Sequence, residues 1–274
     1  MPADMTSPFG SYALVSWRAL FLRAAHAMPA NWTGRRMALL LRKLSLKHGP
    51  AVVDAAVEGL RFRFYVRDNV SERKYLFLPQ FFDAEERTLL RQTLKEGSVF
   101  VDVGANAGIY SVCGAAAVGA SGRILSIEPN PVVAERLAFN LSLNGFDGRA
   151  VIERCGVSDA AGQFDLVLDE TNLGGSSLTL QRSAKSISVP CDTLLNVLAR
   201  QAITRIDAMK IDIEGAEDRA LIPFFAAAPA ALLPKVVVIE NSPKDWQQDL
   251  PAAFTAAGYV LQKITRMNRI YILK

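Results

Sequence analysis

Residue types that commonly bind metals or shuttle protons are scarce in this sequence. The 274 residues include three cysteines, none of them in a CxxC pair, which argues against a zinc site and favours a reducing compartment. The histidines are His26 and His48, so a histidine acting as general base would have to come from the N-terminal part of the chain. No apolar run reaches the roughly 20 residues that a membrane-spanning helix requires.

Signals for export and for nucleic-acid binding are also missing. The stretch before the first apolar segment carries Asp4 and no basic residue, unlike the basic start of a cleaved signal peptide. No stripe of interleaved aromatic and basic residues is present, of the kind that binds single-stranded nucleic acid. With 21% charged and 50% hydrophobic residues, the composition is that of an ordinary globular protein. We expect it to be soluble and cytoplasmic and not to bind nucleic acid.

The N-terminal part of the chain carries most of the basic excess behind the net charge of +4. Its basic residues are Arg18, Arg23, Arg35, Arg36, Arg42, Lys43 and Lys47. Apolar residues recur at near-helical spacing over residues 11–48, with an interruption around residues 28–34. Trp17 and Leu20 beside two arginines are typical of a helix at a membrane surface, although an amphipathic helix docked on the core is the more ordinary interpretation. Residues 1–84 are therefore predicted to form a helical cap, and peripheral membrane contact stays open.

From residue 98 onward the pattern alternates between strands and helices, which predicts a parallel sheet covered by helices. A preceding helix is expected over residues 83–95 with Asp83 as its N-cap. The segment TNLGGS, residues 171–176, predicts a hairpin inserted into the α/β order, and the last two strands are expected to pair antiparallel. We assign residues 85–274 to one domain. Its predicted parallel strands cover residues 99–103, 123–129, 150–157, 206–215 and 235–241.

The turn after the first of these strands reads FVDVGANAGIYS over residues 100–111. A dinucleotide-binding turn would show GxGxxG, but Tyr110 takes the place of the third glycine, and no Gly-Lys-Ser/Thr of a P-loop follows. Asp102 at the strand end would repel a pyrophosphate and suits a cationic ligand such as S-adenosylmethionine. Glu128 at the end of the second strand can accept hydrogen bonds from a ribose diol. Together the two acids predict a site for S-adenosylmethionine.

Further motifs stand out along the chain: IEPNP, NLGGSSL, VPCDTLL and MKIDIEGAE. Together with VFVDVGANAGIYS they resemble the FkbM family of S-adenosylmethionine-dependent methyltransferases, over roughly residues 70–274. The resemblance implies an α/β class I methyltransferase fold, a Rossmann-like, seven-stranded and mostly parallel sheet with one antiparallel strand and helices on both faces. It also implies O-methylation of a hydroxyl on a sugar, glycan, glycolipid or natural-product scaffold. Nucleic-acid methyltransferases usually carry DPPY or NPPY where this chain has DIEG.

The resemblance also assigns cofactor-binding residues. The turn would line the methionine end of S-adenosylmethionine, Glu128 its ribose, and the segment after the third strand its adenine. These residues are Asp102, Gly104, Ala105, Asn106, Gly108, Glu128, Val157, Ser158 and Asp159. The hairpin is predicted to overhang the same edge, where Asn172, Ser176 and Ser177 would offer hydrogen bonds to the acceptor hydroxyls. Plain turn chemistry is the alternative for these hairpin residues.

Carboxylates at strand ends are the candidates for catalysis, and three interpretations compete. Asp212 or Glu214 is the general base, with Glu240 next door at the end of the fifth strand. Alternatively, Asp212, Glu240 and Asn241 bind a divalent cation that activates the substrate oxygen, as in catechol-type methyltransferases. In the third interpretation Glu214 caps the following helix and Asp212 pairs with Lys210 or an arginine. A non-catalytic protein that binds S-adenosylmethionine is a further alternative, because fold alone does not fix function.

Overall fold

The computed structural model describes residues 3–169, 172–175, 177–179 and 186–274. The helices are α1 (Ser16–His26), α2 (Trp32–Leu46), α3 (Val70–Phe77), α4 (Ala84–Thr93), α5 (Ile109–Val118), α6 (Pro131–Ser142), α7 (Leu194–Arg200), α8 (Glu217–Ala227) and α9 (Leu250–Ala256). The strands are β1 (Val52–Val57), β2 (Leu60–Tyr65), β3 (Val99–Val103), β4 (Arg123–Ile127), β5 (Ala150–Glu153), β6 (Gly156–Val157), β7 (Gly162–Val167), β8 (Ser177–Thr179), β9 (Ser186–Asp192), β10 (Ala208–Ile211), β11 (Val236–Glu240), β12 (Tyr259–Ile264) and β13 (Asn268–Leu273).

The main sheet has seven strands in the spatial order β12-β13-β11-β10-β3-β4-β5. Its neighbours pair in parallel except for β13, which runs antiparallel to both β11 and β12. The predicted class I methyltransferase fold is therefore confirmed, including the single antiparallel strand and the terminal antiparallel pair. The central strands read as continuous apolar runs because both of their faces are covered.

Two apolar cores lie on the two faces of this sheet. Phe100 packs on one face with residues of α4, α5 and α6, and Val101 packs on the other with residues of α7, α8 and α9. Successive side chains of a strand point to opposite faces, so the run VFVDV supplies both cores. Helices therefore cover both faces of the sheet, whereas its carboxyl edge can carry polar groups.

The N-terminal segment contains a β-hairpin as well as the predicted helices. Strands β1 and β2 pair antiparallel, and the buried Arg63 on β2 donates two hydrogen bonds to the Asp54 carboxylate, at 2.8 and 3.0 Å. Apolar residues of this segment join the same core as α5. The division between residues 84 and 85 remains a prediction. No helix within the described ranges is long and apolar enough to cross a membrane.

The structure differs from the sequence-based expectation at three places, each for a tertiary reason. The expected third strand over residues 150–157 divides into β5 in the main sheet and β6 in a second, four-stranded sheet. Asp83 occupies the N-cap position of α4 as predicted, but its side chain makes no capping hydrogen bond, because that carboxylate accepts a hydrogen bond from Tyr110 instead. The hairpin β7–β8 is present as predicted, but β7 also pairs along its length with β9, which the sequence pattern did not indicate. Residues 170, 171, 176 and 180–185 lie outside the described part.

Gly104, directly after β3, fills a position that no larger residue can occupy. Its φ is +74°, and a Cβ atom there would lie 1.9 Å from the carbonyl oxygen of Asp212 on the neighbouring strand end. Gly145 has a similar φ of +69° but no heavy atom within 4 Å of such a Cβ. The two glycines therefore separate conformational strain from steric overlap.

Gly104→Ala should lower the free energy of unfolding by about 2–5 kcal/mol, the sum of left-handed strain and overpacking. Gly145→Ala should lower it by only about 1–2 kcal/mol. Urea denaturation of both variants measures the difference. Equal losses would show that the contact between Gly104 and the Asp212 carbonyl does not restrict this turn.

Candidate active site

A cavity of about 530 Å³ opens at the carboxyl edge of the main sheet. This volume lies within the range of sites that bind small molecules, and the position is where parallel α/β sheets place their ligands. The turn after β3, the ends of β10 and β11, helices α2 and α3, and the turn between β12 and β13 all contribute to its walls. Predicted site residues that line it are Asp102, Gly104, Ala105, Asn106, Asn172, Asp212, Glu214 and Glu240.

A second, much smaller space of about 30 Å³ lies beside the large cavity. Glu128 and Val157, the residues expected at the ribose and the adenine, both line it. Apolar side chains complete the slot, and Gly104, Gly174, Asp212 and Glu214 border both spaces. Gly156, in the segment predicted to lie beside the adenine, also lines the small space, and its unpredicted members are Val103, Ile127, Pro129, Cys155, Leu166, Leu173 and Ile213.

The backbone of the turn from Gly104 to Gly108 is already hydrogen-bonded within the protein. Gly104 and Ala105 both donate to the carbonyl of Ile127, at 2.9 and 3.0 Å, and Gly108 donates to Ala105. Asn106 donates to the Glu128 carboxylate at 2.8 Å, and Ala107 donates to the Asn106 side chain. None of these five N–H groups is left to bind a phosphate, in contrast to turns that cradle a pyrophosphate.

The two acids predicted to contact the cofactor are both buried. Asp102 accepts a hydrogen bond of 2.6 Å from Ser111, and burial raises its pKa to about 6. Glu128 accepts hydrogen bonds from the backbone N–H groups of Asn106 and Asn130, at 2.8 and 2.9 Å, and burial raises its pKa to about 7. Each carboxylate is shielded from water and accepts only one or two hydrogen bonds within the described residues. A cationic or hydroxyl-bearing ligand would compensate for the lost solvation.

Three of the residues assigned to the cofactor line neither space. Gly108 packs towards Leu137, which lies 2.5 Å from where a Cβ atom would be. Ser158 is buried and donates to Asp159 at 2.9 Å, and Asp159 forms an ion pair with Arg219. These residues support the turn and the wall beside it, and Gly156 and Val157 are the members of that segment that reach the slot.

The three candidate catalytic carboxylates meet in the large cavity. Asp212 accepts a hydrogen bond of 2.8 Å from Lys210. Burial, followed by the charge of Asp212, raises the pKa of Glu214 to about 7. Burial, followed by the charges of Asp212 and Glu214, raises the pKa of Glu240 to about 8. One oxygen of Glu240 is buried and has no hydrogen-bond partner within the described residues.

Helix α8 begins after Ala216 and has no side-chain capping hydrogen bond, from Glu214 or any other described residue. Glu217 accepts hydrogen bonds from the backbone of Ile213 and Gly215, and its other oxygen accepts one from Trp246 at 2.9 Å. The structural interpretation of Glu214 is therefore wrong, whereas the predicted pair of Asp212 with Lys210 is present. The Glu214 side chain stays free to line the cavity.

The residues considered for a cation do not form a metal site here. Asn241, one of the three considered, accepts a hydrogen bond of 2.8 Å from Arg269 through its amide oxygen. Throughout the described ranges, no cluster of three or more His, Cys, Asp or Glu side chains is arranged to hold a metal ion. The carboxylates are instead arranged around a buried ammonium group.

That ammonium group is Lys210, which the sequence analysis treated only as a partner for Asp212. Its Nζ atom lies 5.4 Å from the ring centre of Tyr110, and the Tyr110 hydroxyl donates to Asp83 at 3.0 Å. Burial raises the pKa of Asp83. A lysine in the otherwise apolar strand AMKI was the signal for its role, because buried lysines require counter-charges.

Hydrogen bonds between the hairpin residues Asn172 and Leu173 and the start of α3 hold the hairpin over the site, and we call this group of contacts the clasp. Asn172 accepts a hydrogen bond of 3.0 Å from the backbone of Val70, and Leu173 donates one of 2.8 Å to the carbonyl of Asp68. Asn69 donates to Asn106 at 2.6 Å. Asn172 thus lines the cavity while holding the hairpin to α3. Of the other predicted hairpin residues, Ser176 lies outside the described residues, and Ser177 begins β8.

Comparison with known proteins places this site in a family. Residues 102–271 match the family described as the Methyltransferase FkbM domain. Methyltransferase sdnD of Sordaria araneosa is 28% identical over 194 residues, which cover 59% of this chain and 72% of that protein.

Two solved structures are also similar to this chain. A SAM-dependent O-methyltransferase of Thermotoga maritima has a TM-score of 0.45 and 12% identity, covering 85% of this chain and 81% of that one. The precorrin-6y C5,15-methyltransferase of Geobacter metallireducens has a TM-score of 0.42 and 14% identity, covering 69% and 89%. The family match spans more than half of the 274 residues and includes the turn, the small space and the strand-end carboxylates. The chain belongs to the FkbM family of S-adenosylmethionine-dependent methyltransferases.

Proposed function

We propose that the protein transfers a methyl group to a hydroxyl oxygen of a sugar, glycan, glycolipid or natural-product scaffold. The observation that carries this proposal is the convergence of Glu214 and Glu240 in the large cavity, with pKa values raised to about 7 and about 8. A hydroxyl group must lose its proton when its oxygen is methylated. A carboxylate with a pKa near neutrality is well matched to accept that proton.

The residues present fit S-adenosylmethionine as the cofactor. Glu128 in the apolar slot would accept hydrogen bonds from the ribose hydroxyls, and Val157 would border the adenine. Asp102, Gly104, Ala105 and Asn106 would line the methionine end. The bound cofactor supplies an electrophilic methyl group on a positively charged sulfur. The partnerless buried oxygen of Glu240 and the repulsion among neighbouring carboxylates favour such a cation.

Glu214 is the general base in this proposal, and Asp212 orients the site. Asp212 is 40% exposed and already bound to Lys210, so its charge is partly neutralised. Glu214 has no such partner within the described residues, and its backbone φ of +55° directs the chain out of β10 towards the cavity. The proton of the acceptor hydroxyl passes to a Glu214 oxygen. Metal-assisted catalysis has less support, because Asn241 is bound to Arg269.

Glu128→Gln should weaken the binding of S-adenosylmethionine roughly 10- to 100-fold, since a hydrogen bond to a charged group contributes about 1.5–3 kcal/mol. Glu153→Gln is the matched control, because Glu153 ends the next strand and pairs with Arg200 instead of lining either space. Titration calorimetry gives both Kd values, and urea denaturation shows whether the turn is intact. Equal Kd values for the two variants would contradict the ribose assignment.

The rate of methyl transfer should rise with pH through about 7, because Glu214 is protonated below its raised pKa and becomes a base above it. Glu214→Gln should lower kcat by about 10²–10⁴-fold and remove this rising limb. The measurement is transfer of labelled methyl between pH 5.5 and 9 to an acceptor found by screening polyols and glycolipids. If the limb persists in Glu214→Gln and disappears in Glu240→Gln, Glu240 is the base. A protein that binds the cofactor but methylates no hydroxyl in the screen would be a binding protein.

We also propose that α1 and α2 contact an anionic membrane surface in the cytoplasm. No acidic residue lies between Asp4 and Asp54, a stretch that carries seven arginines and lysines. Apolar side chains of the two helices are nevertheless exposed: Trp17, Leu20, Trp32, Met37, Leu40 and Leu44. Exposed aromatic and aliphatic residues among cations are typical of interfacial helices. The three free thiols support a reducing compartment.

Leu40→Glu should lower binding to vesicles of phosphatidylcholine with phosphatidylglycerol about tenfold, because a side chain worth about 1.5–3 kcal/mol on burial is replaced by an anion. Val260→Glu is the control, since Val260 on β12 is 39% exposed and Leu40 is 48% exposed. Co-sedimentation measures binding. Equal losses in both variants, or no binding by the unchanged protein, would contradict the membrane surface.

A further inference from the structure

The wall of the large cavity that faces away from the sheet is positively charged. Arg35 and Arg42 of α2 and Lys74 of α3 line the cavity. Arg35 and Arg42 are seven residues apart, two helical turns, so they lie on the same face of α2. The carboxylates Asp212, Glu214 and Glu240 belong to the strand ends, whereas these cations belong to the N-terminal segment.

These cations have no carboxylate partners. Within the described ranges, no ion pair is formed by Arg35, Arg42, Arg73 or Lys74. The acids on α4 that line the same cavity are satisfied elsewhere: Glu85 pairs with Lys263, and Glu86 accepts hydrogen bonds from Thr265 and Asn268. The positive wall is therefore not neutralised by the acids of the cavity.

Arg42 is the central member of this cluster. It is half-buried, and burial, followed by the nearby charges of Arg73 and Arg35, lowers its pKa. The buried arginines Arg63 and Arg87 each face a carboxylate, that of Asp54 and that of Glu58. A partly desolvated guanidinium among like charges is unfavourable unless an anion completes the site.

We propose that Arg42, with Arg35 and Lys74, binds a phosphate group of the methyl acceptor, so that the substrate is a phosphorylated or phosphate-linked polyol. This inference rests on the proposed function, because it assigns the acceptor to the same cavity. A phosphate ester carries a charge between −1 and about −2, and the planar fork of arginine matches its oxygens. The hydroxyl to be methylated would then face Glu214, across the cavity from the phosphate.

The test compares glucose 1-phosphate with glucose, and a water-soluble dihexanoyl phosphatidic acid serves as the lipid phosphate. Titration calorimetry on the full chain gives Kd for each probe with the unchanged protein, Arg42→Gln and Arg36→Gln. Arg36 is the matched control: it is on the same helix, does not line the cavity, and its guanidinium lies over the Trp32 ring. Both variants remove one positive charge, so they share any general change of net charge.

At least one phosphate probe should bind at least tenfold more tightly than glucose. Arg42→Gln should weaken that binding at least tenfold, and Arg36→Gln should change it less than twofold. If Arg42→Gln weakens the binding of the sugar phosphate alone, the acceptor is soluble. If it weakens the binding of the lipid phosphate alone, the acceptor is attached to a lipid. No preference for phosphate, or equal effects of the two variants, would overturn the proposal. Since Arg42→Gln relieves repulsion, its unfolding midpoint should not fall, which separates lost binding from misfolding.

Failure of this inference can be told apart from failure of the proposed function. The binding assay involves no methyl transfer. If phosphate binding depends on Arg42 but no acceptor is methylated, the phosphate site is supported and the proposed methyl transfer is not. With an active phosphorylated acceptor, Arg42→Gln should raise KM at least tenfold and change kcat little, the pattern of lost ground-state binding. Methylation of neutral polyols with KM unaffected by Arg42→Gln would leave the proposed function standing and refute the phosphate site.

Discussion

A buried ammonium group organises the carboxyl edge of the sheet. Lys210 points from the central strand β10 into the protein and is almost completely buried, which is unfavourable unless negative groups surround it. Asp212 accepts its hydrogen bond, and the charges of Asp83 and Asp102 also favour the protonated lysine. One residue therefore links β10, β3 and the start of α4. The position of the turn that follows β3 depends on this grouping.

The same grouping leaves the strand-end side of the cavity, opposite the positive wall, with an excess of negative charge. Lys210 contributes one positive charge on this side, whereas four carboxylates line it: Asp102, Asp212, Glu214 and Glu240. The raised pKa values of Asp102, Glu214 and Glu240 are the consequence, because each of these groups is buried and lies close to the charge of Asp212. A sulfonium cofactor would relieve this repulsion, whereas a pyrophosphate would increase it. The electrostatics thus support the cofactor class that the family implies.

The parts of the fold and of the site that depend on neighbouring residues in the sequence could be predicted from it. The central strands, the turn at Gly104 and the acids at Asp102 and Glu128 follow from apolar runs and strand-end positions. Tertiary contacts decide the rest: Glu217, and not Glu214, accepts the backbone hydrogen bonds of Ile213 and Gly215 in the turn before α8. The sequence pattern does not indicate strand β9, because its partner β7 is separated from it in the sequence by the hairpin that contains β8.

The clasp at the hairpin explains why the small space beside the cavity is narrow. Leu173 and Gly174 border a space of about 30 Å³, far below the roughly 300–1,000 Å³ of ligand sites. Both residues follow Asn172, which is bound to Val70, so widening the slot requires these hydrogen bonds to shift. The N-terminal segment that holds the clasp also supplies Arg42 to the cavity and Leu40 to the exposed face of α2. If α2 lies on an anionic bilayer as proposed, the N-terminal segment would contact three things at once. It would contact the lipid through Leu40, the acceptor phosphate through Arg42, and the wall of the small space through the clasp. A phosphate-bearing acceptor at the membrane surface is the substrate for which such a connection is useful.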